Sequence, residues 1–509
     1  MPAVNSVPAV GDDYLGAGGR LTGGPAPELI GSGYAHEISD APRLARSLSR
    51  ADLAHAVALI EGGALAGDDA RGLLSGLLAL DAIPPGEFPW RPELGDAFNS
   101  REHALKERVG APAAGWLSAG RPRREAFRVA LRLVARAGAL DLHDAQLDLA
   151  AALVDLAETH ADDLAADYTY LQPAQPTTIG HLLLAYAYPA LRDAARLRSA
   201  HAWLDLSVAG VGGSAGSRWP LDRERLAELL GCAGVVTHAK DAMWQTDGYV
   251  ELVAAAATAA THGSQIGQDL EILASREFAA VRLADRHSRA SALMPQKRNP
   301  YALAVIRTQA GIAAGELAAM LVTLHTGSAR TDHFHLLNGS VPRVLDECVA
   351  VAGLAAAVVA GLEIEPERFA RAAREGFTAA ADIADVLAVE AGLDYRTAHH
   401  VVGRAVRDLV EAGLPPDALT PERLADAARE TIGRPVSIGA KALAAALDPA
   451  ACAAARLQTG SSAPGEVAAM IAGCRAAIAD ARGLSAAARE RAGRAEGALL
   501  SRARELSQG

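Results

Sequence analysis

Arg123 to Leu156 reads RREAFRVALRLVARAGALDLHDAQLDLAAALVDL. Phe127, Leu131 and Val134 recur at steps of four and three, and Leu142, Leu149, Leu153 and Leu156 continue the stripe with charged residues between them. Apolar groups at that spacing share one face of a helix, and a stripe this long predicts a rod suited to a bundle. Asp247 to Ala274, Pro300 to Thr323 and Val341 to Leu362 repeat the pattern with Ala in place of bulky residues, which lets neighbouring helices approach closely. Period-two runs of β-branched or aromatic residues are nearly absent, so no large sheet is expected. The predicted fold class is all-α.

Working outward, Pro84, Pro85, Pro89 and Pro92 break any helix, and Gly110 to Pro122 is read as a further loop. This places an N-terminal helical domain over 1–122 and a central bundle over 123–365. A C-terminal domain of shorter amphipathic helices follows over 366–509, with Leu484 to Glu505 as a polar surface helix. No repeat of 20 to 50 residues is evident, which removes solenoids.

The 509 residues carry 49 Lys plus Arg against 60 Asp plus Glu, a net charge of -11, with no basic block. Nucleic-acid binders and polybasic membrane adaptors are thereby disfavoured. Four widely spaced cysteines, Cys232, Cys348, Cys452 and Cys474, form neither a zinc ribbon nor a disulfide framework. The longest apolar run, Cys348 to Leu362, is about fifteen residues and falls short of a bilayer span. Met1 to Gly19 lacks the pattern of a secretory leader, so a cytoplasmic location is expected.

The segment richest in chemistry is Arg289 to Pro300, RASALMPQKRNP. Asn299 and Pro300 read as a helix cap and first helical residue, so unpaired N-H groups face whatever precedes them. Lys297 and Arg298 add two cations there, and Ser291 sits upstream among small residues, where such a field stabilises an alkoxide. The same residues also fit an ordinary capped helix with solvated basic side chains. Gln175 to His181, QPTTIGH, places Thr177, Thr178 and His181 at a second helix start. Arg121, Arg123 and Arg124 mark a third. Converging, the three would cage a molecule with at least two carboxylates.

These segments carry a family resemblance. RASALMPQKRNP resembles the GSSxMPxKxNP loop of the aspartase/fumarase superfamily, and its MPQK core is closest to the argininosuccinate lyase branch. TYLQPAQPTTIGH (169–181), GSAGSRWPLDRERLAELLG (213–231), SREFAAVRLADRHS (275–288) and TAAADIADVLAVEAGLDYRTAHHVVG (378–403) are similar to further blocks, in order from about Ala54 to about Gly403.

The resemblance implies a homotetramer with active sites where three subunits meet. It also implies an elimination: a base removes a proton beside a carboxylate, an aci-carboxylate forms, a nitrogen leaving group departs, and fumarate is the usual product. Ser291 falls on the general base, Lys297 on its supporting cation and Asn299 on a carboxylate-binding position. Tyr170 stands where the family usually has a proton-transferring histidine. The remaining substrate-facing positions are Arg123, Arg124, Thr169, Gln172, Thr177, His181, Met294 and His333. No metal or organic cofactor is implied, and adjacent or alternating histidines such as His399 with His400, or His333 with His335, do not present the spacing of a helical metal site.

The departures indicate the kind of member. The GRSRND pattern of argininosuccinate lyase is GRPRRE here, Gly120 to Glu125, so Arg124 is an additional cation that suits a more anionic, dicarboxylate or polycarboxylate substrate. The segment that grips the amino-acid product is HTGSARTDHFHLLNG, His325 to Gly339, without the usual tyrosine, glutamine and lysine. An N-substituted aspartate releasing an amine other than arginine is therefore expected. Argininosuccinate lyase proper, a carboxymuconate-type cycloisomerase and a non-catalytic crystallin-like tetramer are the alternatives.

Overall fold

The stripe that begins after Pro122 becomes one helix of 37 residues, Arg123–Thr159 (α4). Pro122 has extended φ/ψ and stands at the cap, where its missing N-H costs nothing. The computed structural model describes residues 24–325, 327 and 332–509, the side chains of 332–335 excepted. The longer helices that precede α4 among the described residues are Ala35–Glu61 (α1), Gly67–Asp81 (α2) and Ala97–Val109 (α3). The stretch expected as a loop before Pro122 contains short helical turns at Ala111–Gly115 and Trp116–Ser118.

A hairpin follows α4: Leu164–Thr169 (β1) and Gln172–Thr178 (β2) pair antiparallel. Four further helices complete the bundle: Ile179–Leu204 (α5), Asp247–Leu273 (α6), Tyr301–Thr323 (α7) and Asp332–Ala360 (α8). Between α6 and α7, Arg289–Ala290 (β3) pairs with Arg298–Asn299 (β4). Every sheet among the described residues has two strands. The expected all-α architecture is what the chain adopts.

Small residues set how closely the rods pack. A Cβ added to Gly138 of α4 would lie 2.8 Å from Leu345 Cδ1 of α8, so this crossing admits only glycine without a shift. One apolar core runs from α1 through the first half of α4 to Leu345 of α8, and a second takes Leu149 and Leu153 of α4 with α5, Ile266 and Leu303. Helix α7 is long and apolar enough to cross a bilayer, yet it is packed on α6 and α8, with Val305, Ile312, Leu321 and Val322 left on its exposed face.

Beyond α8, Pro366–Glu375 (α9), Ala380–Ala391 (α10), Tyr395–Glu411 (α11) and Pro421–Ile432 (α12) lead to a third core, from Ile383 to Ala446. The chain does not end in short helices. Pro464–Gln508 (α13) is a single helix of 45 residues, lying along the bundle with Ile471 in the second core and Leu499 in the first. Its other faces are charged, as Arg475 with Glu158 and Arg482 with Asp148 illustrate.

Candidate active site

At the arginine turn the three cations differ. Arg121 is buried; its guanidinium donates to Asp52 Oδ1 at 2.7 Å and to the Ala51 carbonyl at 3.1 Å. Asp52 also receives Arg101 at 3.0 Å, so Arg121 is spent on a buried carboxylate and leaves the expected cage. Arg123 approaches Asp96 Oδ2 at 3.4 Å and remains partly exposed. Asp96 meanwhile caps α3, accepting from Phe98 N and Asn99 N, and burial pushes its carboxyl up against the opposing pull of Arg123. The Arg124 guanidinium lies 5.8 Å from the centroid of the Trp244 ring, and burial, then the charge of Arg123, lowers its pKa.

The hairpin presents Thr169, Tyr170 and Gln172 at its tip. Tyr170 and Leu171 form the two-residue loop with φ of 52° and 58°, the left-handed region that such a loop demands and that Asn-Gly would enter with less strain. Tyr170 is 99% exposed, so within one chain its hydroxyl reaches only solvent. At the base of the hairpin Thr178 caps α5 by accepting from His181 N at 3.1 Å. Thr177 is buried, with Oγ1 at 2.9 Å from His181 Nδ1, and His181 Nε2 is 3.1 Å from the Gly460 carbonyl. A carbonyl only accepts, so in the neutral ring the proton sits on Nε2 and the Thr177 hydroxyl donates to Nδ1. Thr177 and His181 thus join the hairpin to the segment before α13.

The loop from Ala290 to Arg298 is pinned at its neck. Asn299 Nδ2 donates to the Arg289 carbonyl at 3.0 Å, and Arg298 folds back onto Asp285 at 2.7 Å and onto the Leu283 carbonyl. Asn299 therefore does not cap α7. A residue before proline is driven to extended backbone, so Asn299 joins β4 and the helix starts at Tyr301. Of the two cations expected here, Arg298 is a strap. Lys297 is exposed, and its ammonium makes no ion pair among the described residues. Ser291 Oγ accepts from Met294 N at 3.0 Å and from Leu293 N at 3.3 Å, two donors that favour a negative oxygen. Met294 itself is part-exposed on the same loop. The His333 side chain lies outside the described residues.

One chain does not assemble the cage. Ala165 and Ile179 beside the hairpin share a core with Val281, Leu283 and Leu303 beside the loop, so these blocks occupy one end of the bundle. The arginine turn begins α4 and the hairpin follows its last turn, where Gly180 N donates to the His160 carbonyl. At 1.5 Å per residue α4 holds these ends about 54 Å apart.

The sequence matches a lyase family model over residues 87–315, which takes in all three blocks, and an argininosuccinate lyase C-terminal model over 377–454. It is 35% identical over 469 residues to an argininosuccinate lyase of Halobacterium salinarum, spanning 90% of this chain and 92% of the relative. The chain belongs to the argininosuccinate lyase-like branch of the aspartase/fumarase superfamily. Another relative in the branch, an argininosuccinate lyase of Natronomonas pharaonis, is 34% identical, with 89% of each chain covered. Among solved structures, EDDS lyase in complex with formate superposes with a TM-score of 0.84 at 26% identity, covering 96% of this chain and 97% of that one. Branch membership makes the pinned loop its signature loop. Spacing alone missed the carboxylates that hold the branch's arginine turn, Asp52 and Asp96, because they lie far from it in sequence.

Proposed function

We propose that the protein eliminates an amine other than arginine from an N-substituted aspartate, leaving fumarate. The observation that carries this reading is the signature loop, where Ser291 holds two N-H donors on its oxygen while Lys297 makes no ion pair among the described residues. Ionised Ser291 takes the proton from the carbon beside one carboxylate, and the electrons pass into an aci-carboxylate that cations and N-H groups stabilise. Collapse of that intermediate forms the double bond and breaks the C-N bond. The nitrogen leaves with the electron pair and takes a proton, for which Tyr170 at the hairpin tip is the donor in this reading.

The site belongs to a homotetramer. Blocks about 54 Å apart along α4 can meet only between copies, and the exposed apolar face of α7 is a surface that assembly would cover. Arg123 and Arg124 of one copy, the hairpin of another and the signature loop of a third then surround the substrate. Similarity to EDDS lyase at 26% identity supports an amine of its own kind, as does the replaced His325 to Gly339 segment.

The test is absorbance in the fumarate band while the purified protein is offered a panel of N-substituted aspartates, argininosuccinate included. Growth with a non-arginine amine supports the reading. Silence with every member overturns it, and argininosuccinate as the best substrate would restore the ordinary branch activity.

A further inference from the structure

Glu125 follows the two arginines of the turn and is 1% exposed. Its carboxylate faces backbone: Oε1 accepts from Gly210 N at 2.6 Å and Oε2 from Gly212 N at 2.8 Å. Gly210 and Gly212 have φ of +75° and +61°, the left-handed backbone that turns two alternate N-H groups toward one carboxylate. A second contact lies at the start of the turn, where a Cβ on Gly120 would sit 2.5 Å from Ser217 Oγ and 2.6 Å from Trp219 Cδ1. The glycine loop is thus clamped against the arginine turn at two points, and Gly213 to Gly216 are exposed beyond the clamp.

An apolar side chain would fill this position at lower cost than a carboxylate removed from water. The charged groups facing Glu125 are already engaged: Arg121 with Asp52, and Arg223 with the carbonyls of Ala209, Val236 and Thr237. Burial pushes the Glu125 carboxyl up, against the two amides and those arginines. Building on the lyase reading above, we propose that Glu125 is a positioning residue of the substrate site, whose ionised carboxylate holds the glycine loop and the arginine turn in the one geometry that lets Arg123 and Arg124 receive a substrate carboxylate.

Fumarate is the probe, titrated calorimetrically into the full-length protein, with KM and kcat measured on the aspartate that it cleaves best. Glu125→Gln turns an NH2 group toward one of the two amides, and we expect Kd and KM to rise about tenfold while kcat stays within about threefold. Wild-type affinity should fall as the pH is lowered far enough for the buried carboxyl, raised by burial, to gain its proton, whereas Glu125→Gln should bind weakly with no such dependence. A merely structural role would lower the melting temperature and leave the pH profile of the wild type in place. Glu125→Gln with wild-type Kd, or with the wild-type pH profile, overturns the proposal. If that variant does not fold, Glu125→Asp, which reaches one amide at most, must show an intermediate Kd that keeps its pH dependence, and wild-type affinity there is equally fatal. A wild type that neither binds nor releases fumarate removes the lyase reading and this proposal together. Normal fumarate binding with an indifferent Glu125 removes this proposal alone.

Discussion

The arginine turn and the signature loop both lead into long helices and both carry cations, yet they are built in opposite ways. At the turn every positive group is met from elsewhere in the chain: Asp52 holds Arg121, Asp96 approaches Arg123, and the Trp244 ring lies under Arg124. In the loop Arg298 is tied to Asp285, while Ser291 Oγ meets amides of its own loop and Lys297 makes no ion pair among the described residues, on a segment pinned at its neck. The turn is braced within one chain. In the proposed reading the loop is the reactive element, and its surroundings come from another copy.

The sharpest way to break that contrast is Ser291→Ala. A general base on an exposed loop should be dispensable for folding, so we expect the melting temperature to stay within about 1 °C while fumarate release falls by about a thousandfold, roughly 4 kcal/mol of transition-state stabilisation. Lys297→Met should lose turnover on the same scale. Activity above a tenth of wild type in Ser291→Ala would remove that serine from the base role.

The opposite profile is expected at Arg121. Arg121→Met leaves the buried Asp52 with Arg101 alone, and breaking one arm of a buried ion network costs about 3 kcal/mol of stability. An unfolding free energy lowered by that amount in chemical denaturation, with KM near wild type for the folded enzyme, would mark Arg121 as structural. An unchanged unfolding free energy with a raised KM would return it to the substrate.

Much of this was readable in the sequence, for physical reasons that differ by element. The 3.6-residue stripe from Phe127 to Leu156 exposed α4, and Thr178 ahead of an apolar run exposed the start of α5, because both signals are local. Asn299 misled because Asn-Pro satisfies two rules at once, the cap preference of asparagine and the extended backbone required before proline, and here the second prevails. The role of Arg121 was hidden because its partner Asp52 lies 69 positions away. The polar α13 was read in fragments because its apolar contacts, Ile471 and Leu499 among them, are sparse along 45 residues. Spacing along one chain also says nothing about a rod that separates two parts of a site, and that separation is what turns a list of plausible residues into an argument for assembly.

Arg124 tests the arginine-turn side of the comparison with the smallest expected effect. The family pattern has asparagine there, so Arg124→Asn restores the ordinary residue while removing one cation and its contact with Trp244. If the arginine serves a substrate carboxylate, KM for the best N-substituted aspartate should rise about tenfold, roughly 1.4 kcal/mol, with kcat altered less than about threefold. Arg124→Lys discriminates further. A lysine keeps the charge but loses the planar fork that stacks on indole and pairs bidentately, so it should recover only part of the affinity. Should Arg124→Asn instead improve cleavage of argininosuccinate, Arg124 would be excluding that substrate rather than gripping a more anionic one, and the turn would be a filter instead of a receptor.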